Sequence, residues 1–428
     1  MRAETRVQFA ALATVPFVMV LSNSLIIPVL PNIQQALHRS LLQVGLLITV
    51  FSLSAGAVIP VGGYLSDRFG RRPVMIPSLC IFGLGGLLAA VAPLIFPSDI
   101  TYTMLLIGRV VQGIGAGGTY QVAMALVGDI FHTNERSKAL GMLEASNGFG
   151  KVASPIMGAA AMLITWYAPF FIYPVIAWAS ALLVWRAVKE PSGTKNQRPF
   201  AAYLKGVGQI AGSKGFSLAV AFTGGAIAIF FLFGVLSFYS DILEKSYHIM
   251  GVQRGLIIAI PVAVMAITSY VSGTVLVQQL AKLSKLIVLL GLGVVAVAFV
   301  GMYLWRAQIV PFTAALSVMG FGNGMLLPSV NTMITSATAS ATRGTITALY
   351  GTVRFFGAAL GPPIFDRMVK VGPVPTYLGA GALAALVLVV SLIGLNQKQM
   401  FEHMQTGKKK SKHVKIQHNP QPDDNRLH

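Results

Sequence analysis

VQFAALATVPFVMVLSNSLIIPVLPNIQQALH, residues Val7 to His38, contains no Asp, Glu, Lys or Arg. About 20 apolar residues carry a helix across the hydrocarbon core of a bilayer, so this stretch predicts a membrane-spanning helix. It is too long for the core of a cleaved leader, and no small-residue cleavage site follows it. The same freedom from charge recurs from Ser40 to Ser66 and from Pro73 to Ser98. Of the 428 residues, 55% are hydrophobic and 11% charged, against about 25% charged in soluble proteins. With a mean hydropathy of +0.71, these values exclude a water-soluble enzyme and a disordered scaffold. They predict an all-α membrane protein with several spans.

Twelve spans are expected, near 9–31, 41–65, 73–95, 102–126, 138–163, 168–187, 216–240, 254–277, 285–305, 308–333, 345–366 and 374–395. An even number puts both termini on one side. Lys and Arg divide 23 to 6 between that side and the other, with Arg109, Lys151 and Arg354 inside spans. Positive charge concentrates on cytoplasmic loops, so both termini are expected in the cytoplasm of a protein in the cell membrane. The net charge of +19 is therefore a matter of membrane sidedness, and nucleic acid is not an expected partner. The run Lys408–Lys415 reads as a topology signal beside lipid headgroups. Cys80 is the one cysteine, which excludes an internal disulfide, and its apolar surroundings suggest a buried, inert thiol.

The chain repeats itself. Gly113, Gly115 and Gly117 in QGIGAG match Gly320, Gly322 and Gly324 in MGFGNG at an offset of 207. Arg136, Gly150 and Pro155 match Arg343, Gly357 and Pro362 at the same offset, and Gln43, Gly45 and Gly63 match Gln253, Gly255 and Gly273 at 210. The expected organisation is a six-helix bundle over 1–188, a cytoplasmic linker over 189–215, a pseudo-symmetric six-helix bundle over 216–396 and a basic tail over 397–428. Duplicated bundles characterise secondary transporters that rock about a central site, and the small-residue rows permit close helix approach.

Three segments carry a family resemblance. Between the second and third spans lies Gly62-Gly63-Tyr64-Leu65-Ser66-Asp67-Arg68-Phe69-Gly70-Arg71-Arg72. The fourth span holds Arg109-Val110-Val111-Gln112-Gly113, and the fifth holds Gly141, Gly150, Ser154, Pro155 and Gly158. Together they resemble motifs A, B and C of the major facilitator superfamily, the last as found in its drug:proton antiporters, with Ser154 where that branch usually has glycine. The resemblance implies a conformational switch built from Gly63, Asp67, Arg68, Gly70, Arg71 and Asp129. In it Asp67 faces the start of the eleventh helix near Thr345, and arginines of the turn pair with Asp129. Positive-inside anchoring is the alternative for these arginines, Arg72 above all. For Arg109 the resemblance implies proton transfer or substrate binding. A hydrogen-bonded anchor between the first and fourth helices accounts for it as well. The family's first, fourth, seventh and tenth helices line its cavity, which makes Asn23, Gln112, Asn323 and Asn331 candidates for substrate contact.

Intramembrane charge is unfavourable and marks function. Glu144 and Lys151 lie seven residues apart on one helix face, about 10.5 Å in rise. Glu144 is the expected proton carrier, with Arg109 and Lys151 as coupling partners. A neutralising charge at the membrane boundary is the alternative for Glu144. Arg354 is expected to bind an anionic substrate group or to tie the halves together. Phe230, Phe231, Phe233 and Tyr239 could form an aromatic wall, or else face lipid or core. No metal spacing, nucleotide loop or nucleophile elbow occurs, so neither an enzyme nor a cofactor is expected. The expectation is a monomeric, proton-coupled antiporter for multidrug efflux of amphipathic compounds. A dedicated exporter of an endogenous anionic or zwitterionic metabolite, siderophore, peptide or lipid is the alternative. A non-transporting membrane sensor is a more distant one.

Overall fold

The computed structural model describes residues 3–131, 133–190, 200–273, 283–337 and 340–401. Most of the expected basic tail and residues 191–199 of the expected linker lie outside the described residues. The described residues form helices: α1 (Ala3–Ser24), α2 (Leu30–Ala36), α3 (Leu41–Phe69), α4 (Arg71–Ile95), α5 (Ser98–Ala116), α6 (Tyr120–Ile130), α7 (Thr133–Ala161) and α8 (Ala168–Ala187) in the first half. The second half holds α9 (Phe200–Lys245), α10 (Gly251–Val271), α11 (Ser284–Leu304), α12 (Ile309–Ser336), α13 (Ser340–Val371) and α14 (Ala380–Gly394). Among the described residues, ten helical stretches are long and apolar enough to cross a membrane. The expected fifth and eleventh spans, α7 and α13, are not among the ten. They carry Glu144, Lys151 and Arg354 on helices of 29 and 32 residues.

Two expected spans are interrupted. The first breaks at a 3-10 turn over Ile27–Val29, where Pro28 and Pro31 lack the backbone N–H groups that would continue the ladder. The fourth breaks between α5 and α6 at Gly117, Gly118 and Thr119. The seventh is longer than expected, because helix begins at Phe200 instead of near 216.

Large apolar side chains face outward: Leu53, Leu84, Leu256, Ile260, Leu286 and Val297 are all exposed. Such belts belong against acyl chains, where every backbone group must be satisfied within the helix. Small residues then set the helix spacing. A Cβ on Gly113 would lie 2.5 Å from the Phe51 carbonyl oxygen of α3. One on Gly320 would lie 2.4 Å from the Pro261 oxygen of α10, the repeat equivalent of α3. Likewise Gly115 abuts Phe82 of α4, and Gly322 abuts Gly291 of α11. The repeat read from sequence is therefore a repeat of packing contacts.

The halves meet along two seams. In one, Gly45 of α3 faces Pro362 of α13, with a would-be Cβ at 3.2 Å. Thr49 donates to the Ala359 oxygen (2.7 Å) and Thr352 to the Gly56 oxygen (2.8 Å). In the other, Gly255 of α10 faces Pro155 and Ala159 of α7. Since α1 begins and α14 finishes at the same end, we call it the terminal end, and the opposite one the far end.

Candidate transport cavity

A cavity of about 840 Å3 lies between the halves, within the roughly 300–1,000 Å3 common for small-molecule sites. Its wall comes from α1, α6, α7, α9, α10, α12 and α13. It runs from Ile27, Pro155 and Val262 near mid-bundle to Tyr120, Asn331 and Thr335 toward the terminal end. The first, fourth, seventh and tenth spans expected to line it do so, joined by the fifth, eighth and eleventh.

Asn23, Lys151 and Arg354 reach this wall. Lys151 projects from the first half and Arg354 from the second. Among the described side chains no acidic residue joins them, so the lining is cationic over a mostly apolar surface. Arg354 lies over the Tyr350 ring at 5.5 Å, and among the described residues its Nε has no hydrogen-bond partner. Glu144 sits on α7 two turns from Lys151, beside the wall residues Ala145 and Asn147; its side chain lies outside the described residues. Of the four expected aromatics, Phe233 lines the cavity, whereas Phe230, Phe231 and Tyr239 are buried in the core.

Arg109 and Gln112 lie behind the wall, not in it. Arg109 is fully buried. It donates to the Leu47 oxygen (2.9 Å), Gln112 Oε1 (2.9 Å) and Asn23 Oδ1 (2.6 Å), and its guanidinium lies 4.3 Å from the Phe51 ring centroid. Asn23 in turn donates to Ser52 (2.8 Å). One planar cation thus ties α1, α3 and α5 together, the geometry of the anchor reading. Its link to the cavity is indirect, through Asn23. Asn323 is also buried behind the wall and donates to the Ala228 oxygen (3.1 Å).

The motif A turn is a charge cluster within the first half. Arg71 pairs with Asp67 and with Asp129, the latter at 3.3 Å. It also donates to Ser66 Oγ (2.8 Å). Arg68 donates instead to the Tyr64 hydroxyl (3.2 Å), and Arg72 to the Trp185 carbonyl. Glu190, unremarked in the sequence, accepts from the backbone N–H groups of Arg71 (2.6 Å) and Arg72 (3.2 Å). It thereby satisfies orphan donors at the start of α4 and complements the helix dipole. Gly70 has φ +113°, and a Cβ there would meet the Glu190 carboxylate at 2.8 Å, so both conformation and space call for glycine. Gly63 brings α3 to within 4.0 Å of Ala348 on α13, measured from a would-be Cβ. The Thr345 side chain, the expected partner of Asp67, lies outside the described residues.

Motif C sets the approach of α7 to α1. A Cβ on Gly158 would lie 2.0 Å from the Leu25 oxygen, and one on Gly150 would lie 3.1 Å from the Phe17 ring. Ser154 fits because its hydroxyl bonds back to the Gly150 carbonyl. The Gly141 backbone is helical, and its contacts lie outside the described ones.

At the far end the structure assembles a cluster that sequence reading missed. Arg254, at the expected outer edge of the eighth span, is fully buried at the start of α10 and pairs with Glu244 at the end of α9. Arg254 also donates to Asn32, and Gln35 donates to Glu244. The available signal was the set of polar residues at the far ends of the first, seventh and eighth spans.

The sequence profile described as Major Facilitator Superfamily matches residues 12–362. The chain is 37% identical over 362 residues to the bacillibactin exporter of Bacillus subtilis (strain 168), covering 84% of this chain and 89% of that protein. It is 34% identical over 175 residues to the class B tetracycline resistance protein of Escherichia coli, covering 40% and 42%. A crystal structure of a D-xylose-proton symporter superposes with a TM-score of 0.72 over 92% of this chain and 98% of that one, at 15% identity.

Proposed function

Since this chain belongs to the Major Facilitator Superfamily, a family of transporters and not of enzymes, we propose that it exports an anionic or zwitterionic amphipathic small molecule in exchange for protons. The observation that carries the reading is the pairing of Lys151 and Arg354 across a largely apolar cavity. Two cations from opposite halves attract an acid group, and the apolar wall accepts a hydrophobic body. In a low-dielectric setting that attraction is far stronger than in water. The bacillibactin exporter, similar over most of both chains, supports a siderophore-like solute.

In this reading the bundles 1–188 and 216–396 rock about the cavity in the cytoplasmic membrane, as a monomer surrounded by lipid. The 23-to-6 division of Lys and Arg supports cytoplasmic termini, which makes the far end the outer face. Glu144 carries the proton, and its coupling to Lys151 along α7 links proton binding to substrate release. Arg109 holds Asn23 at the wall, a positioning role. Asp67, Arg71 and Asp129 act as the switch at the terminal end.

A second reading, efflux of several unrelated drugs, is favoured by adaptable side chains on the wall: Met19, Met124, Phe149, Met265 and Phe355. Transport by membrane vesicles with matched anionic and cationic amphiphiles separates the two. The anion reading expects Arg354→Gln to abolish transport of anions. Transport of cations that Arg354→Gln leaves intact, with none of anions by the unaltered protein, supports the drug reading instead.

A further inference from the structure

The far-end cluster of Glu244, Arg254, Asn32 and Gln35 touches neither the cavity nor the motif A turn. Its construction is local on one side. Helix α9 closes with the His248 N–H donating to the Glu244 oxygen (3.1 Å) and the Ile249 N–H donating to the Leu243 oxygen (2.8 Å). His248 at φ 54° and Gly251 at φ 58° then reverse the chain into α10. This turn brings Glu244 and Arg254 together inside the second half, with no help from the first. From the first half α2 presents two neutral amides three residues apart, hence on one face. The Asn32 carbonyl accepts from the cation, and the Gln35 amide donates to the carboxylate. Met162, just past α7, places its sulfur 3.5 Å from an Arg254 nitrogen.

The division of charge matters physically. Separating a buried ion pair strands each charge in a poor solvent. Here the pair belongs wholly to one half. Among the described residues the other ion pairs near this end, Arg39–Asp99, Lys245–Asp241 and Lys370–Asp366, also lie within a half. Parting the halves at this corner therefore separates no ion pair: it breaks the two amide hydrogen bonds and the Met162 sulfur contact, which entering water replaces.

We propose that Glu244 and Arg254 form a pre-paired latch that closes the far end by capturing Asn32 and Gln35. The two amides act as positioning residues that set the balance between far-closed and far-open forms. The proposal rests on the alternating-access reading given above and does not depend on the substrate's charge.

The test uses the full chain with Cys80→Ser and spin labels on Ile164→Cys and Val310→Cys, two exposed far-end positions on opposite halves. Double electron–electron resonance reads their separation. Asn32→Ala with Gln35→Ala should move the distribution to longer distances, the far-open population rising roughly tenfold per bond lost to a charged partner. Asn32→Asp, which sets an anion against Arg254, should move it to shorter distances and slow turnover. Opposite shifts support the latch even if no anion is transported. Unchanged distributions, or shifts in the same direction, overturn it even if anion transport is intact. Because Asn32→Asp preserves side-chain size and leaves the ion pair in place, a folding failure of the double alanine variant does not block the test.

Discussion

Gly255 meets Pro155 across the junction of the two halves, and the repeat places Gly45 against Pro362 at the matching point. The two contacts differ in tightness. A Cβ on Gly255 would lie 2.5 Å from Ala159 and 2.7 Å from the Pro155 oxygen, whereas one on Gly45 would lie 3.2 Å from the Pro362 ring. Overpacking a tight contact costs about 1–3 kcal/mol. Gly255→Ala should therefore push the far end apart and depress transport roughly tenfold, and Gly45→Ala, where the Pro362 ring has only to give way slightly, should have the smaller effect. Initial export rates in vesicles check both. Equal effects would show that the seams do not differ as their geometry indicates.

Arg109 should behave as scaffold. Arg109→Ala removes three hydrogen bonds to one cation and leaves Asn23 and Gln112 without it. Each such bond contributes about 1.5–3 kcal/mol, so a large loss of thermal stability in detergent is expected. Arg109→Lys should recover little of it, because an ammonium cannot match the planar fork that reaches α1, α3 and α5 at once. A variant with unchanged melting temperature and altered substrate preference would return Arg109 to the substrate site.

At the motif A turn, Gly70→Ala has to adopt φ near +113° against the Glu190 carboxylate. A non-glycine residue in a sparsely populated backbone region costs about 1–3 kcal/mol, so lower stability and turnover are expected. Glu190→Ala by itself gives up the two α4 N–H hydrogen bonds, but in that background Gly70→Ala should cost less than in the unaltered protein, because the steric part of its penalty is gone and the backbone part remains. Melting curves of the single and double variants decide this. Full additivity would mean that the two residues do not interact.

Asp67→Asn keeps the shape of the turn and removes one of the two anions paired with Arg71. The expected result is slower turnover from a shifted conformational balance, with the fold intact. Spin labels across the terminal end should report the shift, and distance distributions identical to those of the unaltered protein would speak against it.

Much of this architecture is legible in the sequence because lipid imposes simple rules. Charge-free runs such as Val7–His38 mark spans, and the Gly113/Gly320 and Pro155/Pro362 matches mark paired bundles whose contacts the structure reproduces. Arg354 and Lys151 were readable as cavity residues because an intramembrane charge needs a polar neighbourhood. Arg254 was not, since a charge at a span's edge looks like loop until tertiary contacts bury it. Asn323 and Gln112 misled in the opposite way. A polar side chain inside a span points equally well to a cavity or to a neighbour's backbone, and hydropathy does not distinguish the two. The break at Gly117–Thr119 escaped because three small residues do little to an apolar average.

Proton movement in proteoliposomes containing a pH-sensitive dye tests the central claim, that anions cross through the Lys151–Arg354 cavity in exchange for protons. An anionic amphiphile should evoke a proton flux opposite to its own movement. Arg354→Gln should abolish that flux, and Glu144→Gln should uncouple it without unfolding the protein. A flux of unchanged size in Arg354→Gln, or one evoked by cationic amphiphiles alone, would contradict the account.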